Sequence, residues 1–384
     1  DSMSTRDLLV VAGEASGDLH AARVLEALRT RRPGQRAFGL GSTALRAAGL
    51  ETVADSREIS VVGITEALTV LTRAREIFDR LLVEAERRRP AAALLVDFPE
   101  FNLRLARELA WRRIPVVYYV SPQIWAWRRG RVRAIRDTVD RMLVLFDFEE
   151  AFYRRHGVAV RHVGHPLVDE VPRLPQAWES VPARRLPGHF RLALLPGSRP
   201  SEVDALLPLQ LAAAKRLAAE LPLSACVVCA PSIERGYVEA IVARSGFEVE
   251  IVEEERHEAV AASHLALCAS GTATLETGLL GTPLVVLYRL SKWTWRLARL
   301  LVRVPHASLV NLVLGRPVVP ELLQEAAEPE NVAREVKRLL SSRRDIDRMR
   351  AELATLRPRL GRPGASERAA DELLAYLEPQ EKSA

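Results

Sequence analysis

Two short turns rich in small residues carry the groups in this sequence best suited to hold a phosphate. One is Ala269-Ser270-Gly271-Thr272-Ala273-Thr274-Leu275-Glu276, and the other is Leu195-Pro196-Gly197-Ser198-Arg199. Small side chains leave backbone N–H groups accessible at a helix start, where the partial positive charge favours an anion. The Arg199 guanidinium adds a bidentate grip on a pyrophosphate. The two turns predict a nucleoside diphosphate site, with Glu276 placed to accept hydrogen bonds from ribose hydroxyls.

Polar residues in a third turn are candidates for a second ligand. The stretch Gly13-Glu14-Ala15-Ser16-Gly17-Asp18-Leu19-His20 runs from a strand through a glycine turn into a helix. Glu14, Asp18 and His20 form a polar cluster that a simple connection does not need. The competing explanation is a tight turn in which Ser16 or Asp18 caps the helix.

Two carboxylates near the middle of the first half could act as a general base. Asp97 and Glu100 lie in Asp97-Phe98-Pro99-Glu100-Phe101-Asn102, directly after a strand-like run. Partial burial among aromatic residues would raise a carboxyl pKa and suit proton abstraction. The alternative is that Asp97 caps a helix whose first turn contains Pro99.

Further candidate contacts follow in the same half. The stretch Tyr119-Val120-Ser121-Pro122-Gln123-Ile124-Trp125-Ala126-Trp127 could stack against a sugar, with Gln123 and Trp125 as contacts, although both tryptophans could equally lie in a core. His165, in Val163-Gly164-His165-Pro166, is another candidate.

Short apolar runs that alternate with amphipathic segments must position these turns. Such runs are typical of parallel sheets covered by helices on both faces. Strands are predicted at Leu8–Ala12, Ala92–Val96, Val116–Val120, Met142–Phe146, Leu192–Leu195, Ala225–Cys229, Leu265–Cys268 and Leu284–Tyr288. We therefore expect an α/β protein with two doubly wound, Rossmann-like domains that face a cleft, with ligands at the carboxyl ends of the strands.

The domain limits follow from length and from a proline-rich stretch. At 384 residues, the chain exceeds what a single core usually serves. Residues 1–170 are predicted to form the first domain, 171–190 a linker and 191–360 the second domain. Residues 361–384 are predicted to form a C-terminal helix that packs back on the first domain or is exchanged in a dimer.

Composition limits the functional classes. The net charge of +6 attracts anions in general, but no basic run interleaved with aromatic residues suggests nucleic-acid binding. Neither a transmembrane run nor a signal-peptide pattern is evident, which predicts a cytoplasmic protein. Three cysteines argue against a disulfide framework, and Cys226 and Cys229 are expected to be packed core thiols.

Two other motifs carry little weight. Gly39-Leu40-Gly41-Ser42-Thr43-Ala44 matches a loose dinucleotide fingerprint, yet the strand before it would be very short. Asp345-Ile346-Asp347 lies in a charged, helix-like stretch and is a poor divalent-metal site. A mechanism without metal or cofactor is therefore favoured.

A basic, apolar stretch suggests a membrane surface. From Lys292 to Arg303, positive charges recur at helical spacing beside Trp293 and several leucines. Such a helix can lie in an anionic membrane interface. A surface helix packed on its own core has the same pattern.

Taken together and in order, these motifs resemble the lipid-A-disaccharide synthase family along nearly the whole chain. The matching segments are GEASGD (13–18), DFPEFN (97–102), YVSPQIWAWR (119–128), VGHPLVDE (163–170), LPGSR (195–199), ASGTATLE (269–276) and SLVNLVLGRPVVPELLQE (308–325). The resemblance implies an inverting, metal-independent glycosyltransferase of the GT-B fold. It would join UDP-2,3-diacylglucosamine to 2,3-diacylglucosamine 1-phosphate (lipid X) at the cytoplasmic face of the inner membrane of Gram-negative bacteria, releasing UDP and a β-1,6-linked disaccharide.

The resemblance also implies roles for individual residues. Arg199 matches the family arginine. The family acidic motif often reads D-x-P-D-F-N, and its second acid is usually credited with catalysis. That position is Glu100 here, so either Asp97 or Glu100 remains the candidate base. Family members are described as dimers with exchanged C-terminal segments, which would bring Asn311 and the 319–325 segment near a partner's site.

Other functions stay open at this point. A UDP-N-acetylglucosamine transferase of cell-wall synthesis, or a 2-epimerase, would need similar phosphate turns. A nicotinamide-dependent dehydrogenase could use Gly39-Leu40-Gly41, and a nucleotide-sugar sensor would bind UDP without turnover.

Overall fold

The computed structural model describes residues 6–59, 67–123, 131–289 and 306–377. Contacts along the chain divide it into two units. The first unit contains residues 1–166 and 361–384, and the second contains residues 167–360.

The first unit is built on a seven-stranded sheet in which every neighbouring pair is parallel. Its strands are β1 (Leu8–Ala12), β2 (Ala37–Gly41), β3 (Glu51–Asp55), β4 (Ala92–Val96), β5 (Val116–Tyr119), β6 (Arg141–Val144) and β7 (Val160–His162). The spatial order is β3-β2-β1-β4-β5-β6-β7, so the chain order reverses between β1 and β4. Ligands of open parallel sheets bind at such a reversal, beyond the carboxyl ends of the strands.

Helices connect these strands. They are α1 (Ala15–Arg31), α2 (Thr43–Ala47), α3 (Ala67–Arg88), α4 (Pro99–Trp111), α5 (Val132–Thr138) and α6 (Asp147–Arg155). Every residue of β1 and β4 is buried. This is what the continuous apolar runs require, because helices cover both faces of such a sheet.

The second unit repeats the design with six parallel strands in the order β10-β9-β8-β11-β12-β13. The strands are β8 (Phe190–Leu195), β9 (Leu223–Val228), β10 (Glu250–Val252), β11 (Leu265–Ala269), β12 (Leu284–Tyr288) and β13 (Glu321–Leu323). The helices are α7 (Leu167–Glu170), α8 (Pro200–Ala218), α9 (Arg235–Ser245), α10 (Arg256–Ala261), α11 (Thr272–Leu279), α12 (Leu309–Leu314), α13 (Pro329–Leu340), α14 (Arg343–Ala354) and α15 (Leu356–Arg359). Here the order reverses between β8 and β11.

The last described helix, α16 (Ala365–Leu377), belongs to the first unit and packs on α1. Arg31 Nε lies 2.5 Å from a carboxylate oxygen of Asp371. Glu372 is 8% exposed and pairs with arginines at the start of β6 and within β7, Arg141 and Arg161. A buried carboxylate is tolerated when cations pair with it, so these contacts fix the helix on the sheet.

The proline-rich stretch of residues 171–190 is ordered around one tryptophan. Trp178 is 1% exposed, and its indole N–H donates to the His264 carbonyl over 2.7 Å. The Arg343 guanidinium lies over the same indole, 5.2 Å from the ring centroid. Residues 171–190 are therefore packed within the second unit.

All eight predicted strands are present, with ends displaced by at most two residues. The dinucleotide interpretation of Gly39-Leu40-Gly41 is wrong, because Gly39 lies inside β2 and Gly41 is the last residue of that strand, whereas the fingerprint glycines belong to the turn that follows a strand. A Cβ at Gly39 would lie 1.9 Å from the Val10 carbonyl oxygen. This glycine therefore serves the close approach of β2 to β1.

Three smaller expectations can be checked directly. Cys226, Cys229 and Cys268 are free and buried, as expected of core thiols. Asp345 and Asp347 lie in α14, where each is ion-paired with an arginine. In the described part of the chain, no helix is both long enough and apolar enough to cross a bilayer.

Candidate active site

The turn after β1 packs closely against the turn after β4. A Cβ at Gly13 would lie 2.3 Å from the Phe98 ring, so only glycine permits this approach. Gly17 is buried within α1, whereas the side chains of Glu14 and Ser16 are exposed at the carboxyl end of the first sheet. Glu14 and Ser16 are therefore accessible to a ligand.

Asp18 points toward another helix. It is 3% exposed, and its two oxygens accept hydrogen bonds from the backbone N–H groups of Ser42 (2.6 Å) and Ala44 (2.9 Å). The N-cap of α1 is Glu14, and no side chain caps that end. The predicted capping of α1 by Ser16 or Asp18 is therefore wrong, and Asp18 caps α2.

His20 lies apart from Asp18 and is half-buried near the buried Tyr119 and His165. The His20 and Tyr119 rings are 6.3 Å apart. His165 is 6% exposed, and burial, aided by the nearby His20 and His162, lowers its pKa to about 3. His165 is thus a neutral imidazole that can exchange hydrogen bonds but supplies no charge. Residues two positions apart lie about 200° apart around an α-helix, so Asp18 and His20 point to nearly opposite sides of α1. They do not form the polar cluster that the sequence predicted.

Asp97 and Phe98 occupy the left-handed region of backbone space, at φ +48° and +49°. At the end of the adjacent β5, Val120 does the same at +64°. Such conformations cost about 1–3 kcal/mol each and cluster at ligand-binding sites. The N-cap of α4 is Phe98, with no capping side chain. The alternative that Asp97 caps α4 is therefore wrong.

Three hydrogen bonds hold the Asp97 backbone. Its N–H donates to the Tyr119 carbonyl (2.9 Å). Its carbonyl accepts from the Tyr118 hydroxyl (2.5 Å) and from Asn102 Nδ2 (2.8 Å). Burial, with a contribution from the Asp97 charge, raises the pKa of Tyr118, so the phenol stays protonated and remains a donor. The turn is fixed by buried donors.

Glu100 lies in the first turn of α4 and is exposed. Arg131 contacts both of its oxygens, with Nη1 at 2.9 Å and Nη2 at 3.4 Å. An exposed ion pair of this kind contributes little to stability. The ion pair nevertheless engages both oxygens of Glu100, the second candidate base, with Arg131.

In the second unit, the turn after β8 is filled by its own helix. One carboxylate oxygen of Glu202 accepts from the N–H groups of Ser198 (3.0 Å) and Arg199 (3.3 Å). Gly197 has φ +118°, and a Cβ there would lie 2.5 Å from the same oxygen. The backbone donors expected to bind phosphate are therefore capped. Arg199 is exposed, and its guanidinium forms no hydrogen bond or ion pair with any described residue.

The turn after β11 is open. Gly271 has φ +123°, and no atom of the described residues lies within 4 Å of a Cβ built on it. It is the N-cap of α11, and no side chain caps that helix. Among described residues, no acceptor contacts the N–H groups of Gly271, Thr272 or Ala273. Helix N–H groups without a protein acceptor are suited to bind an anion, so the phosphate role of this turn stays a prediction.

Glu276 lies one turn into α11, next to His257 of α10. Their Oε2 and Nε2 atoms are 3.8 Å apart, and 38% of the glutamate side chain is exposed. Burial of its inner part raises the pKa of Glu276, His257 opposes this, and the nearby Glu170 adds to it. The carboxylate is accessible and has a polar neighbour, as a ribose ligand requires.

Two predicted contacts are directed into the protein. The Thr274 hydroxyl donates to the Gly271 carbonyl (2.8 Å), and the residue is fully buried. The Asn311 amide accepts from the N–H groups of Val318 and Val319, and its Nδ2 lies 2.8 Å from a Glu321 oxygen. Both side chains shape the turns of this unit.

Asn311 is connected indirectly to the open turn. The second Glu321 oxygen accepts from the Ala307 N–H (2.9 Å), and the Ala307 carbonyl accepts from the Ser270 hydroxyl (3.1 Å). The Asn311–Glu321 pair therefore supports the segment on which Ser270 rests.

Of the remaining predicted contacts, one is described by the structure and the others are not. Gln123 is exposed just beyond β5. Trp125 and the basic stretch from Lys292 to Arg303 lie outside the described residues. No group of three or more His, Cys, Asp or Glu side chains in the described ranges is arranged to hold a metal ion.

Sequence reasoning missed the residues that act on these turns from elsewhere in the fold. Glu202 was detectable, because an acid at the third helical position is a capping signal. Asn102, Tyr118 and His257 gave no comparable signal, since their partners are distant in sequence or are backbone atoms.

Known proteins match this chain along nearly its whole length. The family model described as lipid-A-disaccharide synthetase matches residues 8–372. Curated proteins named lipid-A-disaccharide synthase are similar from end to end. That of Myxococcus xanthus is 49% identical, covering 97% of this chain and 98% of its own length. That of Syntrophus aciditrophicus is 42% identical, covering 96% and 97%.

The chain belongs to the lipid-A-disaccharide synthase family. It is accordingly an enzyme, a glycosyltransferase of lipid A biosynthesis.

Solved structures establish the fold class. A Staphylococcus aureus MnaA–UDP co-structure aligns with a TM-score of 0.65 at 12% identity, covering 97% of both chains. The calicheamicin glycosyltransferase CalG4 aligns at 0.59 and 18%, covering 98% of this chain and 99% of that one. MurG of Acinetobacter baumannii aligns at 0.59 and 12%, covering 97% and 99%. The fold is of the GT-B type, with two Rossmann-like, parallel-sheet units.

Proposed function

We propose that this enzyme transfers 2,3-diacylglucosamine from its UDP derivative to the 6-hydroxyl of 2,3-diacylglucosamine 1-phosphate. The products are UDP and a β-1,6-linked disaccharide 1-phosphate. The reaction is one displacement with inversion at the anomeric carbon, and it needs neither metal nor cofactor.

The observation that carries the proposal is the open turn at Gly271. Its N–H groups and the Arg199 guanidinium have no partner among the described residues, belong to the same unit and suit the two phosphates of UDP. Glu276 would accept hydrogen bonds from the ribose. Glu202 caps the other turn, so we assign the β8 turn a side-chain contact through Arg199 and assign the backbone contacts to α11.

We assign proton abstraction to Asp97. The Arg131 ion pair occupies Glu100, and hydrogen bonds hold the Asp97 backbone in a strained turn at the carboxyl end of the first sheet. Glu14, Ser16 and Gln123 are exposed at the ends of β1 and β5 and would contact the acceptor sugar, while the buried, neutral His165 would support that site.

Electrostatics would supply most of the rate enhancement. As the anomeric C–O bond breaks, negative charge grows on the departing diphosphate. Arg199 and the fixed N–H dipoles of α11 stabilise that charge more strongly than they stabilise the ground state. Asp97 takes the hydroxyl proton as the acceptor oxygen attacks the opposite face.

The test is detection of a tetra-acyl disaccharide by mass spectrometry after mixing the protein with both acylated sugars. Arg199→Ala should reduce turnover about 10²–10³-fold, the usual effect of losing one such electrostatic contact. Arg216→Ala is the matched control, because Arg216 is an exposed arginine on α8 near its other end. A near-normal rate for Arg199→Ala would refute the donor assignment.

Two further measurements test the finer claims. NMR of the product reports inversion, and activity should persist in the presence of a chelator. The pH–rate profiles of Asp97→Asn and Glu100→Gln identify the base. Full activity of both variants would place the base elsewhere.

We also propose that the protein works on the cytoplasmic face of the inner membrane and dimerises through its C-terminal segment. The basic stretch from Lys292 to Arg303 would contact anionic lipid. Arg296→Glu with Arg299→Glu should weaken binding to anionic vesicles, and unchanged binding contradicts the membrane role. Light scattering of the intact chain tests the dimer.

A further inference from the structure

Asn102 places one buried amide against the carboxyl ends of two strands. It lies on α4 with no exposed surface. Its Nδ2 atom is 2.8 Å from the Asp97 carbonyl oxygen, 3.2 Å from that of Val96 and 3.5 Å from that of Val11. Val96 ends β4 and Val11 lies near the end of β1, so the amide sits where the strand order of the first sheet reverses.

The donor orientation of this amide follows from its surroundings. The opposite orientation would place the amide oxygen against three carbonyl oxygens. With Nδ2 as donor, Asn102 Oδ1 is left buried without a hydrogen-bond partner among the described residues. A buried polar atom without a partner costs about 1–3 kcal/mol. An apolar side chain of similar shape would avoid that cost but would leave the carbonyls of Val11, Val96 and Asp97 without this donor. The amide is therefore explained by the carbonyls that it holds.

The turn beside the amide needs support. Asp97 and Phe98 are consecutive non-glycine residues with positive φ, a conformation that is uncommon outside glycine and more costly for Phe98 than for Asp97. The Asp97 carbonyl receives two side-chain donors, Asn102 Nδ2 and the Tyr118 hydroxyl. Two donors on one carbonyl fix the peptide plane after Asp97 and therefore fix the direction of its Cα–Cβ bond.

We propose that Asn102 is a positioning residue, which holds the strained Asp97 turn so that the Asp97 carboxylate meets the acceptor hydroxyl. The inference rests on the proposed function, because it assumes that Asp97 is the base. A displacement of about 1 Å in a reacting group can cost about 10²-fold in rate. Loss of the amide donor should therefore lower kcat and leave the KM for the UDP-sugar unchanged, since the donor contacts are assigned to the second unit.

The experiment compares Asn102→Leu with a matched buried amide at the opposite end of the same sheet. Gln35 is 1% exposed, and its Nε2 donates to the Arg6 and Arg36 carbonyls (2.9 Å each), just before β1 and β2. Its Oε1 also lacks a partner among described residues. Gln35→Leu should resemble Asn102→Leu in thermal stability but keep the parent kcat, whereas Asn102→Leu should lose about 10²-fold in kcat.

Two more variants separate positioning from general loss of structure. Asn102→Asp retains a donor only while its carboxyl group is protonated, so its activity relative to the parent should rise as the pH falls. Asn102→Leu should show no such recovery. Tyr118→Phe removes only the other donor to the Asp97 carbonyl and should lower kcat in the same direction. It keeps the test valid if Asn102→Leu fails to fold.

A double-mutant comparison distinguishes failure of this inference from failure of the proposed function. If Asn102 acts through Asp97, adding Asn102→Leu to Asp97→Asn should produce little further loss. An active Asp97→Asn enzyme would refute Asp97 as the base. An inactive Asp97→Asn enzyme together with normal kcat in folded Asn102→Leu or Tyr118→Phe would overturn the positioning role alone. Fully additive losses would overturn it as well.

Discussion

Replacing Asp18 tests whether the β1–α1 turn is built for the fold or for the substrate. Asp18 accepts two hydrogen bonds at the start of α2, whose N-cap residue Ser42 provides no side-chain cap. In Asp18→Ala the buried Ser42 N–H loses its partner, whereas water can reach the half-buried Ala44. Hydrogen bonds to a charged group contribute about 1.5–3 kcal/mol. Loss of the buried hydrogen bond to Ser42 and partly compensated loss of the one to Ala44 should together lower the free energy of unfolding by about 3 kcal/mol.

That loss is measurable by thermal unfolding. In a unit of this size, 1 kcal/mol corresponds to about 2–4 °C, so Asp18→Ala should lower the Tm of the first unit by about 6–12 °C. Turnover at a temperature where the variant remains folded should be retained, because Asp18 is turned away from solvent. UDP affinity, measured by calorimetry, should not change.

Glu14→Ala is the matched control for Asp18→Ala. Glu14 is exposed in the same turn and makes no capping hydrogen bond. We expect an unchanged Tm and reduced turnover, the reverse of the Asp18→Ala result. If Asp18→Ala melts with the parent but loses activity, the carboxylate serves the substrate and its assignment to α2 is wrong.

Three other predictions concern protonation and backbone conformation. Burial lowers the pKa of His165 to about 3, so between about pH 6.5 and pH 3 its imidazole is protonated in the unfolded chain but not in the folded chain. Stability should therefore be complete above about pH 6.5 and fall toward pH 3, and His165→Phe should flatten this slope in denaturant titrations. The pKa of Glu276 is raised, so stability should fall as the pH rises above 4.5. Glu276→Gln should remove that fall while weakening UDP binding, and unchanged UDP affinity would contradict the ribose role. Gly271→Ala should lose about 1 kcal/mol from strain, together with UDP affinity. Gly315→Ala, at another positive φ with open space in the same unit, should lose stability alone.

The sequence predicted the layout of the fold because apolar runs are a direct consequence of burial on both sheet faces. Strands such as β1 and β4 are continuous and apolar, and their ends were correct to the residue. It missed β2, which contains two glycines, and β3, which is mostly polar or half-buried. The pattern of apolar residues does not identify such strands, because they form only through pairing with neighbouring strands.

The candidate site divides in the same way. Strand ends placed Asp97, Arg199 and the Gly271 turn, since carboxyl ends of parallel strands are where polar residues collect. The direction of each side chain depended on distant partners. Asp18 faces α2 because Gly41 leaves room beside it, with a Cβ at Gly41 only 3.1 Å from its oxygen. Glu202 folds back onto its own turn, which made two similar glycine turns chemically different.

Each unit uses a buried side-chain amide at the point where its strand order reverses. Where strand order reverses, the chain leaves neighbouring strands toward opposite faces of the sheet. Buried carbonyls near that point need hydrogen-bond donors. In the second unit, Gln210 of α8 is fully buried, and its Nε2 donates to the carbonyls of Leu195 (3.3 Å) and Leu267 (3.1 Å) on β8 and β11. Asn102 does the same between β1 and β4 in the first unit.

In both units, the amide lies directly beneath a turn with a proposed catalytic group. Leu195 precedes the turn that carries Arg199, and Val96 precedes Asp97. Each amide donates to two or more carbonyls at or near the strand ends, and it also holds the peptide from which the turn departs. The hydrogen bonds that hold the strand ends therefore also make rigid the backbone that carries the proposed catalytic group.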